Sequence, residues 1–561
     1  MNAAVLAVIG LSMMFLGYRF YSKFIAEKIY QLDPDFVTPA HAQRDDIDYL
    51  PTNRVVLWGH HFTAVAGAAP IIGPGIAVIW GWLPAFLWVV VGTMFFAGVH
   101  DFGAVWASVR NKAQSVGSLT GDVVSPRART LFMVVVFVLL MMVNAVFGVA
   151  ISDAFQETPS SVIPAWTAVF VAVIIGVLIY RMHVPILWPT IVGTVILYAV
   201  IYLGEAVPIS LSAGSFGLPV GAQWILILFL YAGIASLLPV WLLLQPRDYI
   251  NGIQLFVGLG LLYGAVLIAN PTIVAPAINP DLPASAPPIF PLLFVTIACG
   301  AISGFHGLVG SGTTSKQLNK ETDARFVGYL GSTGEGALAL VAIIAATAGF
   351  ASLADWRLMY SEFGNGGMAA FVQGGARVVA SGVGISEQFA ATLLTVMAVL
   401  FAGTTMDAGV RLQRYIVQEW GTIYRIPVLQ NGYVATGIAV TACLLLAFGA
   451  GGSSGEGGML IWPLFGTTNQ LLAGLTLMVI SVMLVKLGRP VRYTLIPMVF
   501  ITVAALGAAL VQLTTLYREG GILYPLLWID VVIVLLAILV MLEASSAFLR
   551  ERRAAAAGAA A

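Results

Sequence analysis

Long apolar runs broken by short polar clusters make up this chain from end to end. An unbroken run of about 20 apolar residues matches a helix crossing a bilayer core, whereas barrel strands would show about 10 residues of alternating polarity. The pattern predicts an all-α polytopic membrane protein with about fifteen transmembrane helices. They begin near Ala3, His60, Pro84, Ala128, Ile163, Ile186, Ala222, Asn251, Phe290, Gly328, Glu387, Gly432, Met459, Tyr493 and Ile522. The longest loops, Ser22 to Trp58 and Asp355 to Ser386, hold about 30 to 35 residues, too few for an independent core. The chemistry is therefore expected inside the membrane.

Composition agrees: 59% of the 561 residues are hydrophobic, 9% are charged, and the mean hydropathy is +0.94. No soluble domain has that balance. Basic residues accumulate in short inner loops. With the N-terminus outside, all 26 Lys and Arg fall on inner segments except Arg357, Arg377 and Arg518. Arg110, Arg247, Lys316 and Arg411 are among those assigned to the inner segments. The expected topology is N-out and C-in, with the first apolar segment a retained helix because no basic residue precedes it. A net charge of zero gives no reason to expect a nucleic-acid partner.

Glycine costs about 1 kcal/mol and proline about 3 kcal/mol in a helix interior, so their clusters mark places where helices unwind. The first cluster is GHHFTAVAGAAPIIGPG from Gly59 to Gly75, and the second is GAISGFHGLVGSGTTSKQLNK from Gly300 to Lys320. Unwound backbone survives at membrane depth where it lines a protein cavity, and a pair of such segments suits a transporter built on inverted repeats. About seven helices fall in each half, so the second half enters from the opposite side. This divides the chain into residues 1–58 (first helix and cytoplasmic loop), 59–272 and 290–548 (inverted repeats), and 549–561 (short tail). The competing explanation is packing, since small residues let helices approach and hydroxyls bond back to their own helix.

Ionisable residues in apolar helices are candidates for function. Asp101, beside His100, and Glu335 have no obvious local partner and are expected in proton coupling, together with His60, since histidine titrates near neutral pH. Asp407 is a further coupling candidate, or pairs with Arg411 four residues on. A third polar stretch, GEGGMLIWPLFGTTNQ from Gly455, ends in Asn469 and Gln470, whose amides suit a carboxylate or peptide bond or else hold helices together. His60 and His61 diverge by about 100° on a helix and no HxxxH pair occurs, so no metal is expected. Cys299 and Cys443 lie inside predicted helices, so neither a disulfide framework nor a thiolate cluster is expected. No H-E-x-x-H motif or dense Cys/His set appears and no cofactor is expected, which argues against an enzyme.

The runs YLPTNRVVLWGHHFTAVAGAAPIIGP from Tyr49, HDF from His100, LPVWLLLQPRDYIN from Leu238, SGFHGLVGSGTTSKQLNKETDAR from Ser303, TTMDAGVRLQRYI from Thr404 and WPLFGTTNQLLAG from Trp462 closely resemble the carbon starvation protein A (CstA) family. The resemblance implies an inner-membrane transporter importing peptides or pyruvate when carbon is scarce, by proton symport. It also implies kinship with the amino acid, polyamine and organocation transporters. Its GHHF and SGFHGLVGSGTTSKQ motifs coincide with the expected breaks. His61, Gly304, His306, Ser311, Thr313 and Thr314 are thus expected at the substrate, with helix ends favouring an anionic carboxylate. Expected partners are the small substrate, a proton and the bilayer. Two alternatives are a channel, which would want a continuous polar pore, and a nutrient sensor working through a partner kinase.

Overall fold

A computed structural model describes all residues except 46–47, 215–216, 240, 452–457, 521–524 and 561. The Gly455 end of the third polar stretch and Ile522, the expected start of the last helix, lie outside the described residues. The described chain is helical, with bridges only at Asn2–Thr272 and Thr52–Leu318 among those residues.

In chain order the main helices are α1 (Ala3–Tyr30), α2 (Arg54–Val65), α3 (Ala69–Trp80), α4 (Trp82–Arg110), α5 (Pro126–Glu157), α6 (Pro159–Tyr180), α7 (Leu187–Ala206), α8 (Val220–Leu237) and α9 (Leu244–Ala269). The second half holds α10 (Ile289–Thr296), α11 (residues 304–317), α12 (Arg325–Ala348), α13 (Leu353–Met359), α14 (Gly367–Val383), α15 (Glu387–Ile423), α16 (Gly432–Gly449), α17 (Leu460–Lys486), α18 (Arg492–Arg518) and α19 (Leu526–Arg553). Thirteen of these are long and apolar enough to cross a membrane, or up to 14 if the bent pair α2–α3 is one crossing. The ninth expected helix, near Phe290, is divided into the shorter α10 and α11.

Local chemistry places the helix ends. Ser125 caps α5 by accepting from the Ala128 N–H at 3.1 Å, and Pro126 occupies the first turn, where its missing N–H costs nothing. The α2–α3 pair bends by 51° across Ala66 to Ala68. Pro70 in the first turn of α3 cannot donate back into α2, so the helix restarts there. Between α10 and α11 the chain is non-helical from Ile297 to Ser303, with Gly300 at φ +91°, a conformation L side chains rarely adopt. Helices therefore break at both glycine-rich segments, but the GHHF and GFHGLVGSGTTSKQ residues expected to unwind are themselves helical: the chain unwinds just after the first motif and just before the second.

The stretch expected to be a loop from Asp355 to Ser386 instead contains α13 and α14. Polar residues and glycines lower the hydropathy of α14, but they are what let it pack against α3, α9, α12 and α15. A Cβ on Gly374 would lie 2.0 Å from the Ala345 carbonyl oxygen of α12. Gly374→Leu is accordingly expected to cost about 3 kcal/mol or more by overpacking. A lowered melting temperature in detergent measures this, with Gly374→Ala falling between leucine and the parent.

Near the end of the bundle where Arg110, Arg325 and Arg489 gather, here termed the basic end, the segment after α1 straps across the end of α11. The Thr52 N–H donates to the Gln317 carbonyl at 3.0 Å, and His41 Nε2 meets Asn319 Oδ1 at 2.9 Å. Glu321, fully buried, pairs with Arg110 and accepts from the Asp33 N–H at 2.6 Å. Arg110 also lies over the Phe36 ring, 4.5 Å from its centroid. Arg489, in the turn between α17 and α18, donates to the Tyr30 carbonyl, and partial burial with Arg110 nearby lowers its pKa from the usual guanidinium value. Most of α17 is enclosed: its apolar window is wholly buried, with α5, α18 and α19 around it.

Candidate functional site

Three voids follow one another along the same helices. At the basic end a cavity of about 390 Å³ is lined by Thr52, Gly59, His60 and Thr63 beside Gln245 and Asp248 of α9. At the opposite end a cavity of about 230 Å³ is lined by Ile72 of α3, Asp153 and Glu157 of α5, the start of α14 and Thr395 of α15. Between them a void of about 20 Å³, room for roughly one water, lies at both breaks. Its walls include Gly67 and Pro70 at the first break, Cys299 and Phe305 at the second, Phe147 of α5, Thr405 of α15 and Phe465 of α17. Along α5 the lining passes from Leu139 and Phe147 in the small void to Ala150 and Glu157 in the far cavity. The small void shares α2 with the basic-end cavity, and α3, α5 and α15 with the far cavity.

Beside the second break lies a cluster of fully buried ionisable groups. Asp101 of α4 accepts from His100 Nδ1 at 2.7 Å on one oxygen and from His306 Nδ1 at 2.8 Å on the other. The other ring nitrogen of His306 faces Glu335 of α12 at 3.2 Å, close enough for an ion pair but off the line of a hydrogen bond. His61 of α2 is paired through Nδ1 with Thr314 Oγ1 at 2.8 Å. Asp101 and Glu335, noticed separately in the sequence, are joined by His306. Direct pairing of such groups is what makes them tolerable away from water.

The remaining expected site residues are dispersed. Asn469 of α17 holds the second break together: its Oδ1 accepts from the Phe305 N–H at 3.0 Å and its Nδ2 donates to Ser303 Oγ at 3.0 Å. It caps a helix start on another segment, doing for α11 what a local cap residue would. Gly304 packs directly on α17, since a Cβ there would lie 2.5 Å from the Asn469 carbonyl oxygen. Gln470 donates to the Phe294 carbonyl of α10. Ser311 bonds back to the Gly307 carbonyl at 2.6 Å and accepts from the Val116 N–H, while exposed Thr313 bonds back to Val309 at 3.0 Å. His60, half-buried, faces the basic-end cavity, away from the cluster of His306.

Asp407 stands apart from Asp101 and Glu335. It pairs with Arg247 of α9 and accepts from Tyr231 Oη at 2.8 Å. The intrahelical pair with Arg411 does not form: Arg411 donates to the Ala235 and Leu238 carbonyls at 2.8 and 2.7 Å. Arg247 and Arg411, expected in inner loops, are buried within helices that extend further than their apolar stretches, at 3% and 7% exposure. A neighbouring helix supplies the cation that local spacing assigned to Arg411.

Sequence reasoning passed over Phe147, Thr405 and Phe465, which line the central void, because one aromatic or hydroxyl in an apolar helix carries no local signal. Cys299, Glu335 and His306 have donor atoms within 4.8 Å of one another, close enough to gather around a cation. The thiol, however, already contacts Ser303 Oγ at 3.3 Å and Asn469 Nδ2 at 3.4 Å, and the imidazole is engaged by two carboxylates. The set reads as a hydrogen-bonded ion pair beside a thiol.

A family model described as carbon starvation protein CstA matches residues 2–355 and 357–508. A Campylobacter jejuni protein named peptide transporter CstA is 31% identical over 580 residues, covering 93% of this chain and 81% of its own length. An Escherichia coli protein named pyruvate/proton symporter BtsT is 30% identical, covering 90% of this chain and 80% of its own. Among solved structures, an Eremococcus coleocola manganese transporter superposes with a TM-score of 0.50 at 13% identity, covering 91% of this chain and 99% of that one. At that identity the similarity concerns the fold alone.

Proposed function

From a chain that belongs to the carbon starvation protein CstA family and is a multi-pass membrane transporter, we propose an importer of peptides or pyruvate in the inner membrane, driven by proton symport through alternating access. The observation that carries this reading is the small closed void at the two helix breaks, with a larger cavity toward each end of the bundle. A channel would want a continuous polar lining, whereas the walls of the small void are largely apolar. A carrier opens it to one side at a time, and a void of about 20 Å³ has to widen before it takes even a three-carbon acid.

The halves 59–272 and 290–548 each open on a broken helix, which supports inverted repeats moving against one another. The starts of α3 and α11 follow these breaks, so their N–H ends favour a substrate carboxylate. Phe147, Phe305 and Phe465 supply apolar walls, and Thr405 and Cys299 supply polar atoms. The strap from α1 and the Arg110–Glu321 pair hold the basic end closed over α11. Opening toward that end requires these contacts to part. The buried carboxylates beside His306 supply the proton-binding groups that symport needs.

Counterflow in proteoliposomes with labelled pyruvate and a panel of dipeptides identifies the substrate. Narrowing the void with Thr405→Leu is expected to lower exchange about tenfold or more, with a thermal melt in detergent to check that the variant stays folded. Exchange at the parent rate would show that substrate passes elsewhere. Uptake indifferent to an imposed pH gradient would remove the proton from the mechanism.

A further inference from the structure

Glu335 is satisfied differently from the other carboxylate that His306 touches. Both oxygens of Asp101 accept well-formed side-chain hydrogen bonds, whereas the oxygens of Glu335, fully buried, meet no side-chain donor in good geometry and are approached by the Gly300 N–H of the break. Its closest polar side chain across the helix interface is His306, with Nε2 at 3.2 Å. Because His306 Nδ1 donates to Asp101, a proton on Nε2 makes the ring an imidazolium between two carboxylates. The triad then carries one negative charge in excess, in a place without water to spread it. A single further proton, taken by Glu335, brings it to neutrality and leaves the His306–Asp101 pair intact.

The groups around this position are few. His61 comes from α2, His100 and Asp101 from α4, and Cys299 from the break, while α17 offers the uncharged Asn469 and Thr476. Asp101 is already occupied by two imidazoles. Cys299 joins the cluster to the transport path: its sulfur lies within 4.8 Å of donor atoms of Glu335 and His306, and its side chain lines the central void. An anion in that void therefore faces the charge of the triad across a single side chain.

Resting on the proton-symport reading, we propose that Glu335 carries the coupling proton, one per cycle, and that its neutralisation admits the substrate anion to the void. The proton enters on a Glu335 oxygen, the triad becomes neutral, and the carboxylate of the substrate is no longer repelled. His306, on the moving side of the second break, stays fastened to α4 through Asp101 and loses its hold on α12. When the proton leaves, the negative charge returns and expels the anion. Coupling is thus electrostatic, without contact between proton and substrate.

Glu335→Gln, reconstituted in proteoliposomes, tests this with pyruvate, a monovalent acid. Two rates are compared: accumulation driven by a pH gradient of about one unit, and counterflow without a gradient. A one-proton symporter of a monovalent acid reaches about a tenfold gradient per pH unit. The variant is expected to lose that accumulation, so that the ratio of the two rates falls about tenfold. An unchanged ratio overturns the proposal, whether both rates persist or both fall. Glu335→Asp, which keeps the acid and draws it back from His306, is expected to shift the pH at half-maximal accumulation; an unmoved profile overturns the proposal as well. A parent protein that ignores the gradient would instead sink the symport reading itself.

Discussion

His306→Ala is expected to abolish uptake and to lower stability by about 3–5 kcal/mol, because it removes the one cation between two fully buried carboxylates. Asp101 would keep His100 on one oxygen, but Glu335 would keep only the Gly300 N–H and a nearby thiol, with no cation. The loss is large because an unpaired charge is left behind, more than because of what the ion pair itself contributes. A thermal melt in detergent checks it. Adding Asp101→Ala to His306→Ala should cost less than the sum of the single changes, with a coupling of about 0.5–3 kcal/mol. Strict additivity would show that the groups do not act as one unit.

The second large effect is expected at Asp407. Asp407→Ala would strand Arg247 at 3% exposure beside Tyr231, at a cost of about 3–5 kcal/mol. Replacing both members by apolar residues, Asp407→Leu with Arg247→Met, is expected to recover most of that stability, since a buried ion pair and a well-packed apolar pair are often close in free energy. The same double variant separates roles. If Asp407 only ties α15 to α9, gradient-driven accumulation survives in it; if accumulation disappears from a stable double variant, Asp407 belongs to the coupling machinery after all.

How far the sequence carried these assignments depended on whether the signal was local. The breaks were readable because glycine and proline act on their own backbone: Gly300 and Pro70 stand where the helices stop and restart. Asp101, His306 and Glu335 were each visible as an ionisable group in an apolar helix. Their meeting was not, because the residues are far apart in the chain and polarity alone does not say which helix faces join. Asp407 shows the same limit in reverse, since the nearest cation in sequence, Arg411, turned to backbone carbonyls and Arg247 arrived from α9. Helix α14 was hidden by the residues that let it pack, as low hydropathy there marks a helix pressed against protein and not lipid. Asn469 was noticed as a polar group, but its work as a cap for Phe305 needed the fold to be seen.

The enclosure of α17 bears on how the molecule is assembled. This helix is made after more than 450 residues have left the ribosome, yet it fills the middle of the bundle between α5, α11 and α18 and fastens the second break through Asn469. Chains are synthesised from the N-terminus, and earlier helices reach the membrane first. The helices of the first half must therefore wait with an empty slot among them, and the second break remains untethered until α17 arrives. A ribosome-bound chain ending before Leu460 would hold the wall of the transport path without its fastening. The centre of this transporter is thus filled late, before α18 and α19 close over it, and a chaperone that shields the unfilled slot would act during the synthesis of the last hundred or so residues.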